Sequence, residues 1–278
     1  MGRLVAETIA HASGFSLGGL FDPQCEGMEV AGSTISADPA VLAGAGAVVE
    51  FTHPAVVMAN LATWRSMGLH AVVGTSGFDA GRLEQVRALW GDGPPNCLIV
   101  PNFSIGAVLM MRFAEAAAPH FSAAEVIELH HDRKADAPSG TAVNTAERIG
   151  RSMTQRRAVN SAESHPGARG ATVEGVSVHS VRLPGLLAHQ EVLFGNDGEV
   201  LSIRHDSTDR SSFMPGVLLA LSRIEQLPGV SVGIDQLIRP RSTTPVRSPA
   251  RRAPRTRAPH PSSGAVGSGA SALRNGEQ

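Results

Sequence analysis

Over the first 120 residues, short apolar runs alternate with longer amphipathic ones. Residues 15–21 (FSLGGLF), 47–51 (AVVEF), 70–75 (HAVVGT) and 97–102 (CLIVPN) read as strands. Apolar positions at three- and four-residue spacing predict helices over 55–67, 80–90 and 105–118, and a further helix opens at Gly2. Strands alternating with helices of this length imply βαβ units and a parallel sheet. Ligands of such sheets bind outside the carboxyl ends of the strands. Those ends carry Asp22, residues 52–54 (THP), 74–77 (GTSG) and 101–104 (PNFS).

The pattern then changes. Residues 124–131 (AEVIELHH) predict a strand, followed by a loop and a helix over 140–153. Residues 176–183, 188–195 and 200–207 are short alternating runs split by Gly, Asn and Asp, the mark of an antiparallel or mixed sheet. A helix over 213–226 and the segment 230–238 return to the first sheet. The expectation is two domains, the second inserted into the first: residues 1–101 with 209–238, and residues 102–208.

Composition narrows the classes. The chain has 278 residues, 42% of them hydrophobic, and only 4% aromatic with no Tyr. That is enough for one large or two modest cores and too few aromatics for a stacking surface for single-stranded nucleic acid. Two cysteines suit a reducing compartment, and no apolar run reaches the ~20 residues that cross a bilayer. A soluble cytoplasmic protein is expected, with neither nucleic acid nor membrane as partner. The net charge of −1 conceals a division: residues 239–278 hold eight Arg and one acid, against a net −8 before them. This Arg/Pro/Ser-rich tail lacks apolar periodicity and is expected to be disordered.

Residues 127–142, IELHHDRKADAPSGTA, carry the most concentrated chemistry. The chain has 24 Lys plus Arg, of which Lys134 is the single lysine. An ammonium is compact and its pKa can move, whereas a guanidinium is planar and holds its proton. Ser139, Gly140 and Thr141 follow Pro138 and open a helix, whose free amides and dipole favour an anion. His130 and His131 stand at the strand end. A cation, an anion-binding helix start and two imidazoles suit a carboxylate substrate that is protonated during reaction. Adjacent histidines on a strand point to opposite faces, and neither an H-E-x-x-H nor paired cysteines occur, so a metal is not expected.

On the other side, Asp22 stands where a dinucleotide fold places the acid that binds the adenosine ribose, although an Asp before Pro is also a common turn residue. Residues 74–77 and 101–104 suit close backbone approach by a cofactor. Ser76 and Ser104 serve equally well as helix caps.

The stretch ELHHDRKADAPSGTA resembles the signature of the dihydrodipicolinate reductase (4-hydroxy-tetrahydrodipicolinate reductase) family of lysine and diaminopimelate biosynthesis, E-x-H-H-x-x-K-x-D-x-P-S-G-T-A. FTHP, VVGTSGF, PNFSIGA, PGARG and IRHDSTDRSSF extend the likeness over about residues 1–238. The resemblance implies a Rossmann-like parallel-sheet domain plus an inserted α+β domain with a mixed sheet. It implies hydride transfer from NADH or NADPH to a cyclic imine dicarboxylate, with protonation of the neighbouring carbon. By motif position His130 is the proton donor and Lys134 its partner acid. His131, Ser139, Gly140 and Thr141 hold the substrate. Gly2, Asp22, Gly74, Thr75, Ser76, Val100, Pro101, Asn102 and Phe103 face the cofactor. A homotetramer built through the second domain's sheet is also implied.

Two departures accompany the likeness. Met1–Gly2–Arg3 matches only the end of the family's glycine loop, so the fold lacks its first strand here, and a start upstream of Met1 is expected. Pro23 follows Asp22 where a basic residue would favour the 2′-phosphate of NADPH, which leans toward NADH. The alternatives are a truncated relic that binds a dicarboxylate without cofactor, and a related nicotinamide-dependent imino- or keto-acid reductase.

Overall fold

The structure is a computed structural model and describes residues 1–238. The predicted tail, 239–278, lies outside the described residues. The described chain forms one compact unit. It opens with α1 (Gly2–His11), whose Val5 and Ala6 are buried. Then come β1 (Leu20–Phe21), β2 (Glu29–Val30) and β3 (Ser33–Ser36), a small sheet in which β3 pairs in parallel with β1 and antiparallel with β2.

This region departs from the sequence reading. Of the strand expected over 15–21, only the last two residues pair. The Gly18–Gly19 step lies tight against the 3₁₀ turn Pro39–Leu42, where a Cβ at Gly19 would meet the Val41 carbonyl oxygen at 2.5 Å. The β2–β3 hairpin was not expected at all. It turns on Ala31 (φ 52°) and Gly32 (φ 77°), the paired positive φ values of a tight hairpin turn that sequence usually announces with Asn-Gly or Asp-Gly.

The parallel sheet follows, built from β4 (Ala47–Glu50), α2 (Val57–Ser66), β5 (His70–Val73), α3 (Ala80–Trp90) and β6 (Cys97–Ile99). Ala71, Val72, Val73, Cys97, Leu98 and Ile99 are all buried, as expected of central strands covered on both faces. Asp79 caps α3 by accepting from the Arg82 amide.

α4 (Ile105–Ala117) leads out of this sheet. Its mean residue is apolar, and it is buried on more than one side. Val108, Met110 and Met111 join the core around Val72, Leu98 and Val217, while Ala114 joins a second core around Val126, Val192 and Phe194. A helix with a wide apolar surface fits where two cores share it.

The second sheet is formed by β7 (Ala123–His130), then after α5 (Gly140–Ser152) by β8 (Ala171–Val173), β9 (Val176–Arg182), β10 (Ala188–Asn196) and β11 (Glu199–Ser207). Its order is β11-β10-β7-β9-β8, with β7 and β9 parallel and the other neighbours antiparallel. α5 packs on β7 and β9, and α4 on β11. Alternation puts Val126, Val178, Val192 and Phe194 under these helices and leaves Ile127, Leu129 and Leu193 on the other face.

The predicted helix over 213–226 is three pieces: a 3₁₀ turn Arg210–Phe213, α6 (Met214–Arg223) and a 3₁₀ turn Ile224–Gln226. Then β12 (Val230–Val232) pairs in parallel with β6, which completes the four-stranded order β12-β6-β5-β4. Arg148 of α5 bonds Asp235 at 2.8 Å and Arg112 of α4 donates to the Ile238 carbonyl at 2.5 Å, so both α4 and α5 are tied to the returning segment. No described helix is long and apolar enough to cross a membrane.

Candidate active site

A cleft of about 260 Å³ opens between the carboxyl ends of the parallel strands and the second sheet. Gly74, Val100, Pro101, Asn102 and Phe103 line one side. His130, Thr141, Gln190 and His205 line the other, and Met1, just before Gly2, also reaches it.

On the first side aromatic rings pack around a glycine. A Cβ at Gly74 would overlap the Phe51 ring, which packs against Phe103 with ring centroids 5.4 Å apart. Thr75 is buried and its hydroxyl accepts from the Thr52 amide at 2.9 Å, which ties the ends of β4 and β5 together. Glu50, at the end of β4, is buried too, and its carboxylate takes hydrogen bonds from Trp64 Nε1 (2.8 Å), Asn60 and Thr52. Ser76 is exposed. Asp22 accepts from the Gln24 amide at 2.9 Å, the turn role that its place before Pro23 allowed.

The turn 101–104 is ordered by its own side chains. Asn102 Oδ1 accepts from the Ser104 amide at 2.8 Å, and Ser104 Oγ caps α4 at the Ala107 amide. Asn102 Nδ2 donates to Thr141 Oγ1 at 3.2 Å, across the cleft onto the start of α5. Ser104 Oγ also lies 3.1 Å from His205 Nε2. Burial pushes the His205 imidazole below its ordinary value, and His189 adds to this while Asp206 opposes it.

On the second side everything hangs from Glu128. Period-two alternation puts Glu128 on the same face of β7 as Val126 and His130, and its side chain is fully buried. Oε2 lies 2.5 Å from His130 Nδ1 and 2.9 Å from Arg182 Nη1. Oε1 accepts from Arg182 Nη2 at 2.8 Å and from the Ser139 amide at 3.2 Å. Burial works to raise the carboxyl's pKa; the hydrogen bonds from His130, Arg182 and Ser180 outweigh it and hold it at about 2.

Lys134 is three-quarters buried and its ammonium lies 2.7 Å from Asp136 Oδ1. Burial works to raise the Asp136 carboxyl's pKa, but the hydrogen bond from Lys134, a backbone hydrogen bond and the nearby charges of Lys134 and Arg182 together bring it below the usual value. Ser139 spends its hydroxyl on the Ala142 amide as the cap of α5, so the anion-binding capacity there belongs to the first-turn amides of Gly140 and Thr141. His131 follows β7, with its Nδ1 buried and unpartnered among the described residues.

Of the residues singled out in the sequence, Gly74, Val100, Pro101, Asn102, Phe103, His130 and Thr141 share the cleft lining. Gly140 adjoins it at the α5 start, Lys134 sits on the loop between β7 and α5, and Gly2 opens the helix behind Met1. Asp22, Thr75, Ser76, His131 and Ser139 do not line it. Glu128, Arg182, Gln190 and His205 are not among the residues that the sequence singles out. Glu128 had a signal: an acid two residues before His130 on a strand face otherwise apolar.

A parallel sheet with a cleft at its carboxyl ends, faced by an imidazole and a helix start, defines an α/β enzyme that takes a small molecule there. Family models described as the N-terminus and C-terminus of dihydrodipicolinate reductase match residues 1–103 and 106–238. The chain belongs to the dihydrodipicolinate reductase family. It is 57% identical over 196 residues to the 4-hydroxy-tetrahydrodipicolinate reductase of Mycobacterium marinum, covering 69% of this chain and 80% of that one. To the enzyme of the same name from Nocardia farcinica it is 57% identical over 200 residues, with coverage of 70% and 81%. Among solved structures, the dipicolinate-bound dihydrodipicolinate reductase of Paenisporosarcina sp. TG-14 superposes with a TM-score of 0.72 at 33% identity, over 84% of this chain and 94% of that one.

Proposed function

We propose that this chain reduces the cyclic imine dicarboxylate dihydrodipicolinate, formed from 4-hydroxy-tetrahydrodipicolinate, to tetrahydrodipicolinate in lysine and diaminopimelate biosynthesis. The observation that carries the reading is the Asn102–Thr141 bond, which joins the turn expected to face a nicotinamide to the helix start expected to hold a carboxylate. The residues present fit the cofactor. Gly74 puts backbone in the cleft lining, with the Phe51 ring where a Cβ would stand, and Gly2 has open space at that position at the start of α1. Gly74 and residues 100–103 would hold the nicotinamide end and the α1 start a phosphate. The bound nicotinamide supplies a hydride to the substrate ring.

The chain's own groups do the rest. The Gly140 and Thr141 amides hold a substrate carboxylate, and His131 assists. His130, with Nδ1 facing Glu128, offers Nε2 to the ring carbon that must take a proton, and Lys134 stands by as a second acid. These cationic donors stabilise electron density that builds on the ring before the proton arrives. Asp22 takes the ribose, and Pro23 after it favours NADH over NADPH. In this reading residues 1–101 with 209–238 form the dinucleotide lobe and 102–208 the substrate lobe. The uncovered sheet face with Ile127, Leu129 and Leu193 supports a homotetramer, and two free cysteines support a cytoplasmic setting.

The test generates the substrate in situ and follows loss of nicotinamide absorbance with NADH and NADPH in turn. Turnover that depends on substrate is expected, with NADH preferred. Dinucleotide binding without turnover, on a panel of keto acids as well, would leave the reading unsupported.

A further inference from the structure

Resting on the reading of His130 as proton donor, we infer that Glu128 and Arg182 are a positioning pair that fixes which nitrogen of His130 faces the substrate and holds the whole 131–139 loop to the sheet. The Glu128 carboxylate takes hydrogen bonds from His130 Nδ1, both terminal nitrogens of Arg182 and the Ser139 amide, beside the contribution of the Ser180 hydroxyl. Arg182 Nη2 also donates to the Asp136 carbonyl at 2.6 Å, and Nη1 to the Val181 carbonyl at 2.8 Å. One ion pair therefore touches β7, β9, the loop that carries Lys134, and the start of α5.

The register makes this possible. His130 lies opposite Arg182 and Glu128 opposite Ser180 in the parallel β7–β9 pairing. The arginine reaches back along its own strand direction to meet the acid diagonally.

The chemistry follows from what an ionised carboxylate can do. It only accepts hydrogen bonds, so His130 Nδ1 must carry a hydrogen. Nε2 is then the ring atom left for the cleft, where it gives up a proton and can take one back without the ring turning over. A neutral carboxylic acid in the same place could donate to Nδ1 and select the other tautomer. Arg182 guards against that state by keeping Glu128 anionic. A buried ion pair is weak evidence for stability, since an apolar pair of equal volume often holds a fold as well. The particular contacts of this pair, onto the proton donor and the loop, are what an apolar pair would lack.

Glu128→Gln alone leaves Arg182 buried without a counter-charge, and that variant can fail to fold. The test therefore adds Glu128→Gln with Arg182→Met, which removes both charges at similar volume. Both are made in the full chain. Three readouts are taken: melting temperature, steady-state kcat and KM for substrate and dinucleotide, and the nitrogen spectrum of protein labelled in its histidine rings, with His130→Gln to assign His130. The double variant is expected to fold, to lose about 100-fold in kcat, the size of a displaced acid, and to keep its dinucleotide KM within about threefold. The neutral His130 ring is expected to carry its hydrogen on Nδ1 in the parent and to lose that preference in the variant. A double variant with kcat near the parent, or a parent ring protonated on Nε2 alone, overturns the inference. A parent without turnover would sink the functional reading instead, while the tautomer measurement still decides this one.

Discussion

Asn102 Nδ2 donates to Thr141 Oγ1 at 3.2 Å while Asn102 Oδ1 accepts from the Ser104 amide at 2.8 Å. One amide side chain thus fixes the turn after β6 and bridges it to the start of α5. Removing it frees both partners at once. Asn102→Ala is expected to lower kcat/KM by about tenfold or more, one lost hydrogen bond of ordinary strength plus a loosened turn. Initial-rate kinetics with each substrate varied in turn would show both KM values rising together. A rise in one alone would mean the bridge does not couple the two sides.

Lys134 is the chain's single lysine, and its ammonium sits 2.7 Å from Asp136. Lys134→Arg keeps the charge and can keep that contact, but a guanidinium neither fits the same corner nor releases a proton near neutrality. A fall in kcat of about 100-fold is expected. Parent-like turnover in this variant would remove Lys134 from the proton-donating machinery and leave it a charge alone.

Much of this was legible in the residues. The helices over 80–90 and 105–118 stand within a residue of α3 and α4, because the caps Asp79 and Ser104 mark their starts and Gly91 the end of α3. β7 was displaced by one residue. The small sheet was not legible: β1 and β2 have two residues each and owe their pairing to tertiary contact rather than to pattern. Within the site, the motif pointed to His130 and Thr141. The partners that hold them are far apart in sequence, as with Glu128 and Arg182, or Ser104 and His205, and only the strand register joins them. Lone charged residues in alternating strands read as solvent-facing, and nothing in the run 176–183 sets Arg182 apart.

Acid stability should carry the signature of Glu128. Its carboxyl falls from an ordinary 4.5 to about 2 in the folded chain. A depressed carboxyl stabilises the fold fully above its unfolded value, and the contribution is lost as pH falls through the folded value. That loss is expected between pH 4.5 and about 2 and amounts to roughly 3 kcal/mol. His205, also depressed, acts in a higher window: its neutral form is favoured in the fold, so stability declines as pH drops below 6.5. Urea unfolding across this range would show both limbs. Glu128→Gln with Arg182→Met should flatten the lower one, and His205→Gln the upper. An unchanged acid limb in the double variant would place the loss elsewhere.

Gly216 offers a test in which two physical effects oppose each other. It lies within α6, where Ala is the better helix former by about 1 kcal/mol. On propensity alone, Gly216→Ala should stabilise. The packing says otherwise: a Cβ there would overlap the Phe103 carbonyl oxygen, so α6 and the 101–104 turn would have to part. Backbone cannot swing aside as a side chain can, and overpacking of this kind costs about 1–3 kcal/mol. The variant is therefore expected to melt lower and to bind nicotinamide dinucleotide more weakly, because the turn it displaces lines the cleft. Gly195→Ala, with open space around the new methyl, is the control and should change neither. A Gly216→Ala protein that melts higher than the parent and binds the dinucleotide as well would mean that α6 and the turn do not meet as closely as described.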